Sequence, residues 1–198
     1  MSLRVIGIRH GEVHNPDGVI YAGLTGYGLS EFGRRQASEV AAALRGSDVV
    51  AVYASPLDRA IQTAGAVAEA VGAEVIPDER LHEWRYWQQW AGMTWQQLYE
   101  EGREAWDAYH DDPGAVTSGE SLAELGDRME SWLTDVRARH ERGIVVGVSH
   151  LEPLRAILLR LTERPAKDLF QITIDLAQAV RLHPDPDPAP RPADELVG

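Results

Sequence analysis

The 198-residue sequence contains no cysteine. That excludes a disulfide framework, a thiolate nucleophile and a zinc–thiolate centre. Lysine is nearly absent, Lys167 being the only one, and acidic residues outnumber basic ones 31 to 19, for a net charge of −12. Such a chain lacks the basic face that nucleic acid requires, so any cationic site must be a local gathering of arginines. No apolar run approaches the roughly 20 residues of a membrane span, and the N-terminus has no signal-peptide pattern. The expectation is a cytoplasmic protein that binds neither nucleic acid nor membrane, as a monomer or a homodimer.

What is present is ordinary globular composition, 44% hydrophobic and 25% charged, at a length that suits one domain. Strand candidates fall at 3–8, 49–54, 74–76, 144–148, 170–175 and 179–183. Between them run helical patterns: Ala37, Val40, Ala41 and Leu44 after Ser30; Ala60, Ala64, Val67 and Val71 after Ser55-Pro56; Leu122, Leu125, Met129, Trp132 and Val136 after the capping box Ser121-Leu-Ala-Glu124; and Leu154, Ile157, Leu158 and Leu161. Gly72 is a natural stop for the second helix. Alternating strands and helices predict a mostly parallel α/β sheet with helices on both faces. Only Leu176-Ala177-Gln178 separates the last two strand candidates, which predicts an antiparallel hairpin. Residues 84–120 interrupt the alternation, hold five of the six tryptophans and read as a lid insertion in a domain spanning 1–183. Residues 184–198 (PDPDPAPRPADELVG) read as a disordered acidic tail.

In open α/β sheets, ligands bind beyond the carboxyl ends of the strands. After the first strand comes Arg9-His10-Gly11, after the second Ser55-Pro56-Leu57-Asp58-Arg59, after the third Leu81-His82-Glu83, and after the fourth Ser149-His150. Two histidines, two arginines and a glutamate are thus delivered to one edge. Guanidinium groups and a helix N-terminus suit a phosphate. A neutral imidazole is a competent nucleophile, and a nearby carboxylic acid can protonate a leaving oxygen. These are the parts of a metal-free phosphomonoesterase with a phosphohistidine intermediate.

The segments Arg9-His10-Gly11-Glu12, LTGYGLSEFGRRQA (24–37), SPLDRAIQTA (55–64), Leu81-His82-Glu83, Gly119-Glu120-Ser121 and Ser149-His150 together resemble the histidine phosphatase superfamily, the phosphoglycerate-mutase-like group. The resemblance implies a three-layer α/β/α sandwich with one antiparallel strand and a small lid. It implies His10 as nucleophile, Arg9, Arg59 and His150 as phosphoryl-binding groups, and Glu83 as general acid and then base. It implies no metal and no organic cofactor. Asn15 would touch the phosphate, although it falls one residue early for the family pattern, and Val13 stands where a threonine is common. Leu151-Glu152-Pro153 replaces the glycines usual after the late histidine, so Leu151 would narrow the pocket floor. Trp84, Trp87 and Trp90, nearest Glu83, are pocket-wall candidates.

Three alternatives bear on function. HGEVH superficially matches a zinc-binding helix, but its glutamate is misplaced and the segment runs into Pro16 and Asp17-Gly18. A cofactor-primed mutase must hold a second anion, yet the stretch 84–118 offers only Arg85 and Arg103 against Glu100, Glu101, Glu104, Asp107, Asp111 and Asp112. A non-catalytic phosphoester-binding module would not need the full set of His10, Arg59, Glu83 and His150. The favoured expectation is a phosphatase acting on a small phosphorylated metabolite.

Overall fold

The computed structural model describes residues 2–183. Five strands form one sheet in the order β3-β2-β4-β1-β5. They are β1 (Leu3–Arg9), β2 (Val49–Ala54), β3 (Val75–Pro77), β4 (Gly143–Ser149) and β5 (Ala179–Arg181). The first four are parallel and β5 runs antiparallel to β1. Side chains alternate across the sheet with the two-residue period of a strand. Ile6, Ile8, Val52, Ala54, Ile144, Val146 and Val148 meet α1 (Glu31–Leu44) and α2 (Asp58–Val71) on one face. Val5, Ala51, Tyr53 and Val145 meet α5 (Leu122–Arg139) and α6 (Leu151–Leu161) on the other. Burying each such large aliphatic side chain contributes about 1.5–3 kcal/mol. The close fit requires glycine where helix side chains lie flat on the strands. A Cβ on Gly147 would collide with the ring of Trp132, and one on Gly7 would lie 2.6 Å from Leu154.

Helix ends follow local chemistry. Ser30 accepts from the Gly33 amide, Ser121 and Glu124 close a capping box, and Gly72 ends α2 at φ 71°. The helix expected after Ser55-Pro56 starts only at Asp58, without a side-chain cap. The Ser55 hydroxyl is instead 2.8 Å from His150 Nε2 and accepts only a long bond, 3.4 Å, from Leu57 N ahead of the helix.

The expected C-terminal hairpin does not form. Residues Ala166–Gln171 make a 3-10 turn, and 172–175 stay outside the sheet. Two guanidinium groups take the carbonyls a ladder would use: Arg155 Nε donates to Ile172 O and Arg9 Nη1 to Ile174 O, both at 2.7 Å. Leu169 and Ile174 are buried from this loop, so the apolar alternation is real but serves loop packing. The last strand pairs with β1 instead and ends at Arg181, not at 183.

Residues 84–120 carry a 3-10 helix (Arg85–Trp90), α3 (Trp95–Glu101) and α4 (Arg103–Asp111). They are stitched to the loop after β1, where Val19 bridges Thr94 and the Ile20 amide donates to Met93 O at 2.8 Å. Among the described residues no helix is long and apolar enough to cross a membrane. The acidic tail expected at 184–198 lies outside the described residues.

Candidate active site

The sheet register builds the site. β4 lies between β1 and β2, with Arg9 opposite Ser149 and Ala54 opposite Val148. The next residues, His10, Ser55 and His150, therefore emerge together. His10 N donates to Ser149 O at 3.0 Å and Ser55 N to Val148 O at 2.9 Å. The His10 and His150 rings meet edge to face with centroids 5.1 Å apart.

His10 is 3% exposed, and its Nδ1 is 2.8 Å from Gly11 O. A carbonyl only accepts, so Nδ1 carries the proton and Nε2 keeps its lone pair. Burial, then the Arg59 guanidinium, pushes the His10 pKa down to about 3. The ring is thus neutral and nucleophilic at physiological pH. Its loop is pinned from below: Gly11 N donates to Thr63 Oγ1, which itself donates to Arg59 O. Glu12 is structural, since its carboxylate accepts from Ser30 Oγ at 2.6 Å and its amide donates to Gln36 at 2.8 Å.

Around His10 lie buried donors without partners: Arg9 Nε, Arg59 Nε and Nη1, and His150 Nδ1. Arg59 is 0% exposed, held by one bond from Nη2 to Ala22 O and by its stacking 4.7 Å above Tyr21. Ser55 Oγ accepts from Leu57 N and lies 2.8 Å from His150 Nε2; with the hydroxyl proton assigned to that nitrogen, the His150 proton sits on Nδ1. An unsatisfied buried donor costs about 1–3 kcal/mol, and more when charged. A tetrahedral oxyanion among these groups would satisfy all four atoms.

Glu83 is 12% exposed, and its Oε1 accepts from its neighbour's amide, Trp84 N, at 2.7 Å. Its Oε2 is 3.8 Å from His150 Nδ1, too far for a hydrogen bond. Burial first, then the Glu152 carboxylate, lifts its pKa to about 8, against the pull of Arg59. The carboxyl is therefore held as an acid beside a neutral imidazole. A clamp fixes the loop that carries it: Arg128 donates to Arg80 O and Glu83 O while paired with Glu120, and Ser149 Oγ donates to Leu81 O.

Arg9, His10 and Glu83 open into a cavity of about 280 Å³ also lined by Asn15, Val19–Ala22, Trp87, Trp95, Leu151 and Glu152, whereas Arg59 and His150, both 0% exposed, are not part of its lining. Leu151 and Trp87 stand in the wall as expected. Asn15 also lines it, but both ends of its amide are engaged with the Val19 backbone, closing the 15–19 turn. Trp84 does not line it. The ring is 0% exposed in the core, with its N–H donating to Glu120 O. Trp90 is likewise buried, at 4% exposure, against Tyr86 and Trp87. Trp84 precedes the 3-10 turn as its N-cap and packs on Tyr86 and Tyr109, so nearness to Glu83 in sequence did not select the wall residue. His14 is exposed, and no group of three metal-ligating side chains occurs among the described residues.

Sequence reasoning missed Ser55 as the partner of His150, Tyr21 under Arg59, Trp95 in the lid and Glu152 in the cavity. Only Glu152 left a signal, because it lies in the Leu151-Glu152-Pro153 segment that departs from the family pattern.

Comparisons with known proteins show the family and the fold. The family model of the histidine phosphatase superfamily (branch 1) matches residues 5–189. Phosphoserine phosphatase 1 of Hydrogenobacter thermophilus is 37% identical over 162 residues, 80% of this chain and 76% of that protein. A 2,3-bisphosphoglycerate-dependent phosphoglycerate mutase of Thermoplasma acidophilum is 30% identical, with 84% and 80% covered. Among solved structures, a mycobacterial glucosyl-3-phosphoglycerate phosphatase superposes with a TM-score of 0.80 at 25% identity, covering 91% of this chain and 90% of that one. A phosphoserine phosphatase from Entamoeba histolytica, solved with phosphoserine, gives 0.77 at 27% identity, covering 90% and 89%.

Proposed function

The chain belongs to branch 1 of the histidine phosphatase superfamily and is a phosphatase of that type, and from this premise we propose that it hydrolyses a small phosphate monoester through a phosphohistidine at His10, without a metal. The observation that carries the reading is the ring of unpartnered buried donors from Arg9, Arg59 and His150 around a neutral imidazole, with a protonated carboxyl alongside.

In the first step His10 Nε2 attacks phosphorus in line with the leaving oxygen. The N–P bond forms, the P–O bond breaks, and Glu83 gives its proton to the departing alkoxide. Gly11 O keeps the Nδ1 proton and steadies the cationic ring. In the second step the Glu83 carboxylate takes a proton from water, whose oxygen attacks phosphorus. The P–N bond breaks, inorganic phosphate leaves, and both residues return to their starting states. Arg9, Arg59 and His150 hold the equatorial oxygens throughout, and catalysis is chiefly positioning and electrostatics.

The mutase reading draws on the Thermoplasma relative, but a bisphosphate needs a second cationic cradle. Among the described residues lining the cavity, Arg9 alone carries a fixed positive charge. The test is a panel of phosphometabolites, run with and without a bisphosphate primer and with a chelator. Chelator-resistant release of inorganic phosphate, unaffected by the primer, is expected. Primer-dependent isomerisation without release would replace hydrolysis by mutation.

A further inference from the structure

The cavity holds a carboxylate that the hydrolytic steps do not use. Glu152 occupies the first turn of α6, two residues after His150, and is 7% exposed. It lines the same cavity as His10 and Glu83, and its charge is felt at Glu83. Arg155 Nη1 and the Tyr109 hydroxyl both approach Oε1, each at 3.3 Å, long for bonds to a buried carboxylate. No other residue bonds to Oε2 among the described residues. The Arg155 pair, the charge of Arg9 and the Glu152 amide compensate this carboxylate only in part, since burial still pushes its pKa upward.

The surroundings say what would complete it. The positive charge lining the cavity is Arg9, whose Nε is one of the unpartnered donors beside His10 and so belongs to the phosphate end. Beyond it the walls include Trp87 and Trp95, aromatic faces that attract a cation through the ring quadrupole. A leaving group bearing a carboxylate would meet the like charge of Glu152, whose partner Arg155 is already engaged. One bearing an ammonium would meet a carboxylate and indole rings. About 280 Å³ admits a small alcohol, not a polymer or a large sugar.

We propose that Glu152 is the specificity-determining residue that recognises a positively charged amino group on the leaving alcohol, so that the preferred substrates are phosphate monoesters of small amino alcohols. This rests on the phosphatase reading of the same site.

The test compares kcat/KM for three two-carbon esters that differ only in the terminal group: ethanolamine phosphate (ammonium), ethylene glycol monophosphate (hydroxyl) and phosphoglycolate (carboxylate). An aryl phosphate tests hydrolysis by itself. The native protein should favour the ammonium ester over the hydroxyl ester by about tenfold or more, as one charge-assisted contact allows, and disfavour the carboxylate ester further. Glu152→Gln should shrink the ammonium-to-hydroxyl ratio by about tenfold, whereas Glu152→Asp keeps part of it. Removing the Glu152 charge also alters the acidity of Glu83, but the ammonium and hydroxyl esters are both alkyl esters that need that acid, so the effect cancels in their ratio. A residue that merely anchors Tyr109 and Arg155 would change all esters together. The proposal is overturned if the native protein turns over the aryl phosphate yet treats the hydroxyl or carboxylate ester as well as the ammonium ester, or if the ratio survives Glu152→Gln. The native-protein order alone decides the matter should the Gln variant fail to fold. No turnover of any of the four esters overturns the phosphatase reading, and this proposal with it.

Discussion

Replacing Glu83 by Gln keeps shape and hydrogen-bonding atoms but removes the transferable proton. The expected size of the effect follows from the environment. A carboxyl with the ordinary pKa near 4.5 would be only about 0.3% protonated at pH 7, whereas one lifted to about 8 is about 90% protonated, a gain of about 300-fold in competent acid. The loss in Glu83→Gln should then depend on the leaving group. An alkyl ester departs as a strongly basic alkoxide and should lose about a hundred- to ten-thousand-fold in kcat/KM. A p-nitrophenyl ester departs without help and should lose less than about tenfold. The pH profile adds a second signature. As pH rises through 8 the acid ionises, so the native protein should be about tenfold slower on the alkyl ester at pH 9 than at pH 7. His10, pushed to about 3, adds no limb between pH 5 and 8. The alkaline limb should vanish in the Gln variant. Stability provides a folding control. The folded pKa of Glu83 lies above its unfolded value, so its contribution is full below about 4.5 and is lost as pH rises through about 8. The Gln variant should escape that decline. Stopped-assay kinetics with both esters from pH 5 to 10 measure the first two effects, and urea titrations measure the third. Equal losses for both esters, or an alkaline limb still present in the variant, would refute the acid role.

Two further outcomes follow from packing and charge. Inorganic phosphate or vanadate should raise the melting temperature by satisfying the orphaned donors, with a shift that grows logarithmically with ligand concentration. Arg59→Met should lose at least half of that shift in a thermal scan, and an undiminished shift would remove Arg59 from the anion site. Gly33→Ala should destabilise by about 2 kcal/mol or more, because the new Cβ would strike the Glu12 carbonyl, backbone against backbone. An unchanged urea midpoint would show that the contact between α1 and the His10 loop is not tight.

Much of this architecture was legible in the chain because local signals and global fold agree. Ser30, Ser121 with Glu124, and Gly72 mark helix ends, and each does so in the structure. The parallel strands could be located from apolar runs, and the rule that ligands sit beyond strand ends then pointed to Arg9, His10, Arg59, Glu83 and His150. The failures share one cause, side chains that serve distant partners. Ser55 resembles an N-cap, yet its hydroxyl goes to His150, 95 residues away. Phe170, Ile172 and Ile174 alternate like a strand, yet Arg155 and Arg9 capture the carbonyls of Ile172 and Ile174. Trp84 sits next to the acid in sequence but faces the core, while Trp95, exposed on α3, reaches the cavity. Glu152 could be noticed as unusual, but its approach to Glu83 depends on how α6 sets against the sheet.

The central claim is a phosphoryl group carried on His10. Rapid acid-free quenching during turnover of a labelled phosphomonoester, followed by peptide mapping, tests it most directly. An acid-labile, base-stable label is expected on the peptide containing His10, formed and lost at rates that support turnover, with no such label and no turnover in folded His10→Ala. Turnover that persists in that variant, or a label residing on any other residue, would contradict that claim.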